Sequence, residues 1–505
     1  LTEDEGNLLS KGHEKKMKNT PNIKNKNGTF TLMSADEKNE ISITGRMHFD
    51  TAFSDVDEGD IGGSVRTADY GVTGVNYSEF DRDGKSVHSD GEYEMRRARI
   101  GLKGKLDGIW KYSAVLDPGN KKGGLDEFWL QFNPNKSFNV TAGQFKQAFN
   151  LEGITSSNDI DFIERSYINQ ISPHKKLGIG ISGEPAKGFT YQATKYQANV
   201  NDDDISADQM YSGRLTYDFA SANKIKDSIF HVGLSGFSEQ YGQTPKTSSN
   251  GINCQTSTAV DCLGTTHAEL FTFKSSGRGI SPLASLQLQG VGLTNGGASQ
   301  SGKVNVEVER DFAGLEAIVA KGPFKVQAEY TRGKIEGTNT VSAATSEADI
   351  NIGYITAGYI LTGESYSSGY KGGKMGGIKP AANFDFETGK GIGLWEIDAR
   401  FQRLSIDDIN VTQGSGAENR WRGMNPTTGA IKETYKGTIN DGSTGANQYS
   451  LGVKWIANPN VQFKLAYEQT NFDDLLDMAD IGAKDSTLDA IDSERLTTLR
   501  MQYAF

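Results

Sequence analysis

From Ile41 to Phe505 the chain alternates apolar and polar residues with a period of two, the signature of half-exposed β-strands. In the first clear strand Ile41, Ile43, Gly45, Met47 and Phe49 share one face, and Ser42, Thr44, Arg46, His48 and Asp50 share the other. Further on, Trp395, Ile397, Ala399 and Phe401 oppose Glu396, Asp398, Arg400 and Gln402, and Tyr449, Leu451, Val453 and Trp455 oppose Gly452 and Lys454. The closing stretch sets Thr497, Leu499, Met501 and Tyr503 against Thr498, Arg500, Gln502 and Ala504, and finishes on Phe505. In a soluble protein such a strand would be an aggregating edge. In a closed barrel its apolar face meets lipid and its polar face meets water.

Sixteen such segments are predicted, near 41–53, 95–105, 109–117, 125–132, 138–146, 176–183, 188–198, 209–219, 228–239, 305–320, 323–336, 350–362, 392–406, 447–457, 460–471 and 493–505. Short turns, several with Asp-Gly or Asn-Pro punctuation, alternate with long connections at 54–91, 148–175, 240–304, 407–446 and 472–492. An even strand count with short turns on one side and long loops on the other predicts an all-β fold. The expected architecture is a transmembrane antiparallel barrel of sixteen strands in the outer membrane of a Gram-negative bacterium. His267–Lys274 is strand-like but stands alone in a polar segment, and is assigned to a loop. Gly363–Lys390 falls where a short turn belongs, so it hides a hairpin or folds back into the lumen. Residues 1–35 are rich in Lys, Asn and Glu and read as a short polar periplasmic extension, with the barrel occupying 36–505.

Composition removes several rivals. No run approaches the roughly 20 apolar residues of a membrane helix. A net charge of -11 argues against nucleic acid as a partner. Cys254 and Cys262 lie close together in a polar stretch and are disulfide candidates for stapling a loop; with only His267 nearby they fall short of a zinc set. His48, His88, His174 and His231 have no hydrolase motif around them, so no catalytic residues are expected. No cofactor is expected either, apart from Ca²⁺ between acidic external loops, for which no EF-hand spacing is present.

Basic residues on the wet faces carry the candidate chemistry. Arg46 lies on the first strand, and Arg97, Arg99, Lys103 and Lys105 share one face of the second. Arg96 has the apolar phase, so it sits at the membrane rim or a bulge turns it inward. The connection from Ala148 to Ser166 mixes apolar residues with Thr, Ser, Asp and Arg. That mixture predicts a loop, about 149–166, folded into the barrel as a constriction.

Arg96-Arg97-Ala98-Arg99-Ile100-Gly101-Leu102-Lys103, Gly143-Gln144-Phe145-Lys146, Thr155-Ser156-Ser157, Phe162-Ile163-Glu164-Arg165, Leu394-Trp395-Glu396 and Leu451-Gly452-Val453-Lys454-Trp455 occur in an order that resembles the phosphate-selective porin O/P family. The resemblance runs from about residue 40 to the end. It implies a homotrimer of sixteen-stranded barrels, with Leu151–Arg165 as the constriction and Arg46, Arg97, Asp126 and Arg165 lining it. The match departs where such porins hold phosphate tightly. Gly153 and Asn158 stand where lysines are expected, and no arginine run follows His231-Val232-Gly233-Leu234. The expectation is therefore a passive, weakly anion-selective porin for phosphate, other inorganic anions or small carboxylates. Its pore residues would be Arg46, Arg97, Arg99, Asp126, Lys146, Ser156, Ser157 and Arg165, and its other partners outer-membrane lipid and lipopolysaccharide. The alternatives are a non-conducting structural or adhesive surface protein, and a substrate-specific channel for dicarboxylates or sugars.

Overall fold

A computed structural model describes residues 21–26, 29–58, 89–119, 124–197, 205–243, 267–275, 279–280, 282–289, 306–339, 343–413, 420–424, 438–477 and 490–505. Cys254 and Cys262 lie outside the described residues. The wall strands are β3 (Glu40–Glu58), β4 (Ser89–Leu106), β5 (Trp110–Asp117), β6 (Gly124–Phe132), β7 (Asn139–Lys146), β8 (Lys175–Ala186), β9 (Phe189–Tyr196), β10 (Ile205–Asp218) and β11 (Ser228–Gln243). They continue with β14 (Val306–Lys321), β15 (Phe324–Asn339), β16 (Thr345–Ile360), β17 (Leu394–Val411), β19 (Ile439–Ile456), β20 (Val461–Asp477) and β21 (Ala490–Ala504). Among the described residues these sixteen close into one antiparallel barrel, each paired with the next and β21 returning to β3. Closure is completed by Gly45 N–H donating to the Phe505 carbonyl at 3.0 Å and Phe505 N–H to that of Gly45 at 3.1 Å.

The outward row is apolar where the alternation places it. Ile43, Phe49, Leu315, Ile397, Leu451, Leu465, Leu499 and Met501 are exposed on the outer face, while Asp50, Glu316, Asp398, Arg400 and Arg500 are buried on the inner one. No described helix is long and apolar enough to cross a membrane; the crossing is made by strands. An aromatic cluster marks the turn-side rim, with Trp455 stacked on Trp395 and on Phe463 at 5.5 Å each.

Nearer the long loops the same strands invert. On β14, Val306 and Val308 turn inward and Glu307 and Glu309 outward; on β17, Leu404 and Ile406 turn inward and Asp407 outward. The inward apolar residues meet a second sheet inside the wall. It consists of β12 (His267–Phe273), β13 (Ala284–Gln289) and β18 (Arg420–Gly423), contributed by two loops distant in sequence. Phe271, Phe273, Leu286, Leu288 and Trp421 form one buried core with Val308, Ile335, Ile350, Ile352, Leu404 and Ile406. The loop assignment of His267–Lys274 is thus corrected: its alternation is real, but its apolar face is served by the inner wall and not by lipid.

Two further segments depart from a plain wall. The long connection after β16 folds back into the lumen. Its Tyr366 hydroxyl donates to Glu396 Oε1 at 2.8 Å, Tyr370 hydrogen-bonds His231 at 2.7 Å, and Arg214 donates to the Gly373 carbonyl at 2.6 Å. Gly373 has a φ of +74°, and a Cβ there would come within 2.6 Å of Thr216 Oγ1 and 2.7 Å of Thr190 Oγ1, so only glycine passes. Near the N-terminus, β1 (Asn22–Lys26) and β2 (Thr29–Met33) form a hairpin where a solvated tail was expected. β2 pairs with the start of β3, on the edge that β21 leaves vacant past Ala504.

Candidate functional site

The loop after β7 is held inside the barrel by charges on the far wall. It opens with a one-turn helix, Leu151–Ile154, whose Asn150 cap accepts from Gly153 N–H. Glu329 of β15 takes the first two amides, Leu151 N–H at 2.7 Å and Glu152 N–H at 2.8 Å. A carboxylate suits a helix start because the amides there have no internal partners. Farther along, Arg500 donates to the Ile163 carbonyl at 2.6 Å and forms a two-pronged pair with Asp50, both contacts at 2.7 Å. The Arg400 guanidinium lies 4.5 Å over the Phe162 ring. Glu164 receives Arg96 at 2.8 and 3.2 Å and Arg500 at 3.1 Å. Burial pushes the Glu164 carboxyl up, but Arg96 and then Arg500 outweigh it and hold it well below the ordinary carboxylate range.

Arg96 reaches Glu164 because the wall bulges there. His48 pairs with Arg97 and Phe49 with Met95, so Arg96 is the extra residue and turns inward. Of the two placements its phase allowed, the bulge is the one realised.

Between this loop and β3–β9 lies an aqueous cavity of about 1280 Å³. Arg46, Arg97, Arg99, Asp126, Lys146, Ser156, Ser157 and Arg165 all line it. Their surroundings differ. Arg46 donates to Ser157 Oγ at 2.9 Å, and Arg97 lies 3.3 Å from His48 Nδ1, whose other nitrogen meets Asn158 Oδ1 at 3.1 Å. Arg99 is neutralised by Asp117 at 2.7 Å and Asp126 at 2.9 Å. Lys146 spends its protons on the carbonyls of Gly153 (2.8 Å), Ile154 (3.2 Å) and Thr155 (2.7 Å), which makes it a brace for the loop. Arg165 likewise donates to the Glu152 and Thr155 carbonyls, both at 2.8 Å. Ser156 Oγ accepts the Asn158 amide at 3.3 Å.

Three lining cations were not singled out from the sequence: Lys175, Lys374, and Lys274 at the end of the β12 segment. Lys175, the first residue of β8, pairs with Asp126 and lies 3.0 Å from Glu127. Lys374 comes from the inturned connection, whose unexpected length was the available signal. Among the described residues, Arg46, Arg97 and Lys374 have no carboxylate within ion-pair distance. Asp161, Glu396 and Asp398 bring carboxylate oxygens within 4.8 Å of one another. Lys325 pairs with Asp161 and Lys454 with Glu396, and Lys464 donates to the Phe162 carbonyl beside them, while both Asp398 oxygens are buried without a hydrogen-bond partner among the described residues.

A closed sixteen-stranded wall, lipid-facing outside and narrowed inside by its own loop, defines a channel of the outer-membrane porin class. The chain belongs to the family described as "Phosphate-selective porin O and P", which it matches over residues 68–262 and 263–505. It is 25% identical over 423 residues to Porin O of Pseudomonas aeruginosa, covering 79% of this chain and 81% of that one. Among solved structures it is similar to in-vitro folded OmpT of Vibrio cholerae, with a TM-score of 0.47, 9% identity, and 93% and 98% of the two chains covered. It is also similar to an anion-selective porin from Comamonas acidovorans, with a TM-score of 0.43, 11% identity, and 92% and 100% covered.

Proposed function

We propose that the barrel is a passive, weakly anion-selective pore for small hydrophilic solutes, working as a homotrimer set in lipid and lipopolysaccharide. The observation that carries the selectivity is the pair Arg46 and Arg97, which face the cavity with no carboxylate in ion-pair contact among the described residues. A guanidinium not closed into an ion pair raises the local anion concentration in a narrow aqueous passage with low-dielectric walls. The neighbouring Arg99 and Lys175 are matched by Asp117, Asp126 and Glu127, so the net field is modest. That balance fits a preference among inorganic anions, phosphate included, better than a tight phosphate trap. Lys146 and Arg165 shape the constriction by holding its backbone and add charge only secondarily. The test is the reversal potential of the purified porin in a planar bilayer under a KCl gradient. Anion preference is expected, and cation preference would overturn the reading.

A further inference from the structure

The cavity has two unlike walls. The cationic wall is built by β3 and β4 with the constriction loop; the other is built by β6 to β9 and, beyond the charged group of Asp126, Glu127, Lys146 and Lys175 at one end, presents uncharged polar side chains. Cross-strand pairing sets Gln131 beside Thr141, Thr141 beside Gly180, and Gly180 beside Thr194, one continuous row over four strands. The next row pairs Ser182 with Gln192. Gln131 donates to Thr141 Oγ1 at 2.8 Å, which keeps the amide turned along the wall. The Gln192 Oε1 acceptor is shielded from solvent and has no hydrogen-bond partner.

On the same inner face, two residues and about 7 Å beyond Glu127, stands Trp129. Its indole is half-exposed to the lumen, while Phe128 and Leu130 on either side point to lipid. Among the described residues it stacks on no other ring. A wet, unstacked tryptophan is an unusual surface to leave inside a channel, and it offers a flat apolar face beside hydrogen-bonding groups.

We infer that the solute class this pore favours is a hydroxylated organic anion: a phosphate or carboxylate head on a polyol body. The inference rests on the anion-selective reading above. The head group sits at Arg46 and Arg97, whose guanidinium planes match either oxyanion. The body lies over Trp129 and exchanges wall-bound water for hydroxyl contacts with Gln131, Thr141, Gln192 and Thr194. A cavity of about 1280 Å³ holds such a molecule, where a bare phosphate would touch one wall only.

The test is block of KCl current through the purified porin in a planar bilayer. Glucose 6-phosphate and gluconate are compared with inorganic phosphate, acetate and glucose. Half-block is expected at concentrations roughly tenfold lower for the two hydroxylated anions than for any of the other three, a difference worth ~1.4 kcal/mol. Trp129→Ala should raise the half-blocking concentration of glucose 6-phosphate about fivefold and leave that of phosphate unchanged. Gln192→Leu should act in the same direction more weakly. Equal block by phosphate and glucose 6-phosphate would overturn the inference, as would a Trp129→Ala effect common to both. Either result leaves anion preference in KCl intact, whereas cation preference would remove the parent reading itself.

Discussion

The two halves of the lumen are built from one wall and yet behave as different solvents. Along β3 to β9 the inner face carries Arg46, Arg97, Arg99, Gln131 and Thr194 and stays wet. Along β14 to β17, towards the long loops, it carries Val306, Val308, Ile350, Ile352, Leu404 and Ile406, and the sheet of β12, β13 and β18 fills the space. A barrel interior is thus a choice made strand by strand, either solvated by polar side chains or covered by the chain's own loops. Among the described residues the 1280 Å³ cavity lies on one side, while the loop end of the other is packed as a soluble core is packed.

Substitutions in each half break this contrast in different currencies. Arg500→Ala strands the buried Asp50 carboxylate and releases the Ile163 carbonyl and Glu164. It should destabilise the barrel by about 3–5 kcal/mol, since a buried ion pair is broken from one side, and free the constriction loop. The checks are the temperature at which the folded band is lost on a denaturing gel and a higher, noisier single-channel conductance. In the filled half, Trp421→Ala empties the space beside Phe271, whose ring centroid lies 6.0 Å away. A loss of about 3–4 kcal/mol is expected on the same gel assay, with the KCl reversal potential unchanged. A shifted reversal potential would show that the filled half takes part in selectivity.

Smaller effects sharpen the open half. Replacing Arg46 and Arg97 together by Ala should lower the anion-to-cation permeability ratio about two- to fivefold, below ~1 kcal/mol in a water-filled pore. Lys374→Ala should lower it less, and Lys146→Ala should alter conductance more than selectivity. The least effect concerns pH. Glu164, on the luminal loop, has a depressed pKa. Its contribution to stability is therefore fully present above the unfolded-state value near pH ~4.3 and is lost as pH falls through its lower folded value. Channel noise should be the same at pH 7 and pH 5; a rise in noise by pH 5 would show that the Arg96–Glu164–Arg500 anchor is not what holds the loop.

Much of the wall was legible because lipid imposes a strict period of two. Sixteen segments and their apolar rows follow from it, the inward loop was read from its mixed composition, and the Arg96 phase error pointed to the bulge. The period says which face is apolar and is silent on what that face meets. Val306 and Val308 alternate as faithfully as Leu315 and Val319, yet one pair faces a luminal sheet and the other lipid. β12 looked solitary because its partners are short and distant: β13 alternates over six residues only, and β18, four residues long, comes from another loop. The hairpin of β1 and β2 was hidden by its polarity, Asn22-Ile23-Lys24-Asn25-Lys26 carrying a single apolar residue. Lys175 and Lys374 needed the third dimension, since only the fold pairs the first with Asp126 and brings the second to the same cavity.

The luminal sheet also constrains the order of assembly. β13 and β18 are joined in register across more than a hundred intervening residues that include β14, β15, β16 and β17. Their apolar face has nothing to rest on until those four strands stand in place, and closing so long a span beforehand would be entropically unfavourable. The wall must therefore be threaded into the bilayer while its own inner lining of Val, Ile and Leu is still bare. During that interval the nascent barrel carries two greasy surfaces, one destined for lipid and one for itself, and a chaperone guarding it would have to distinguish between them.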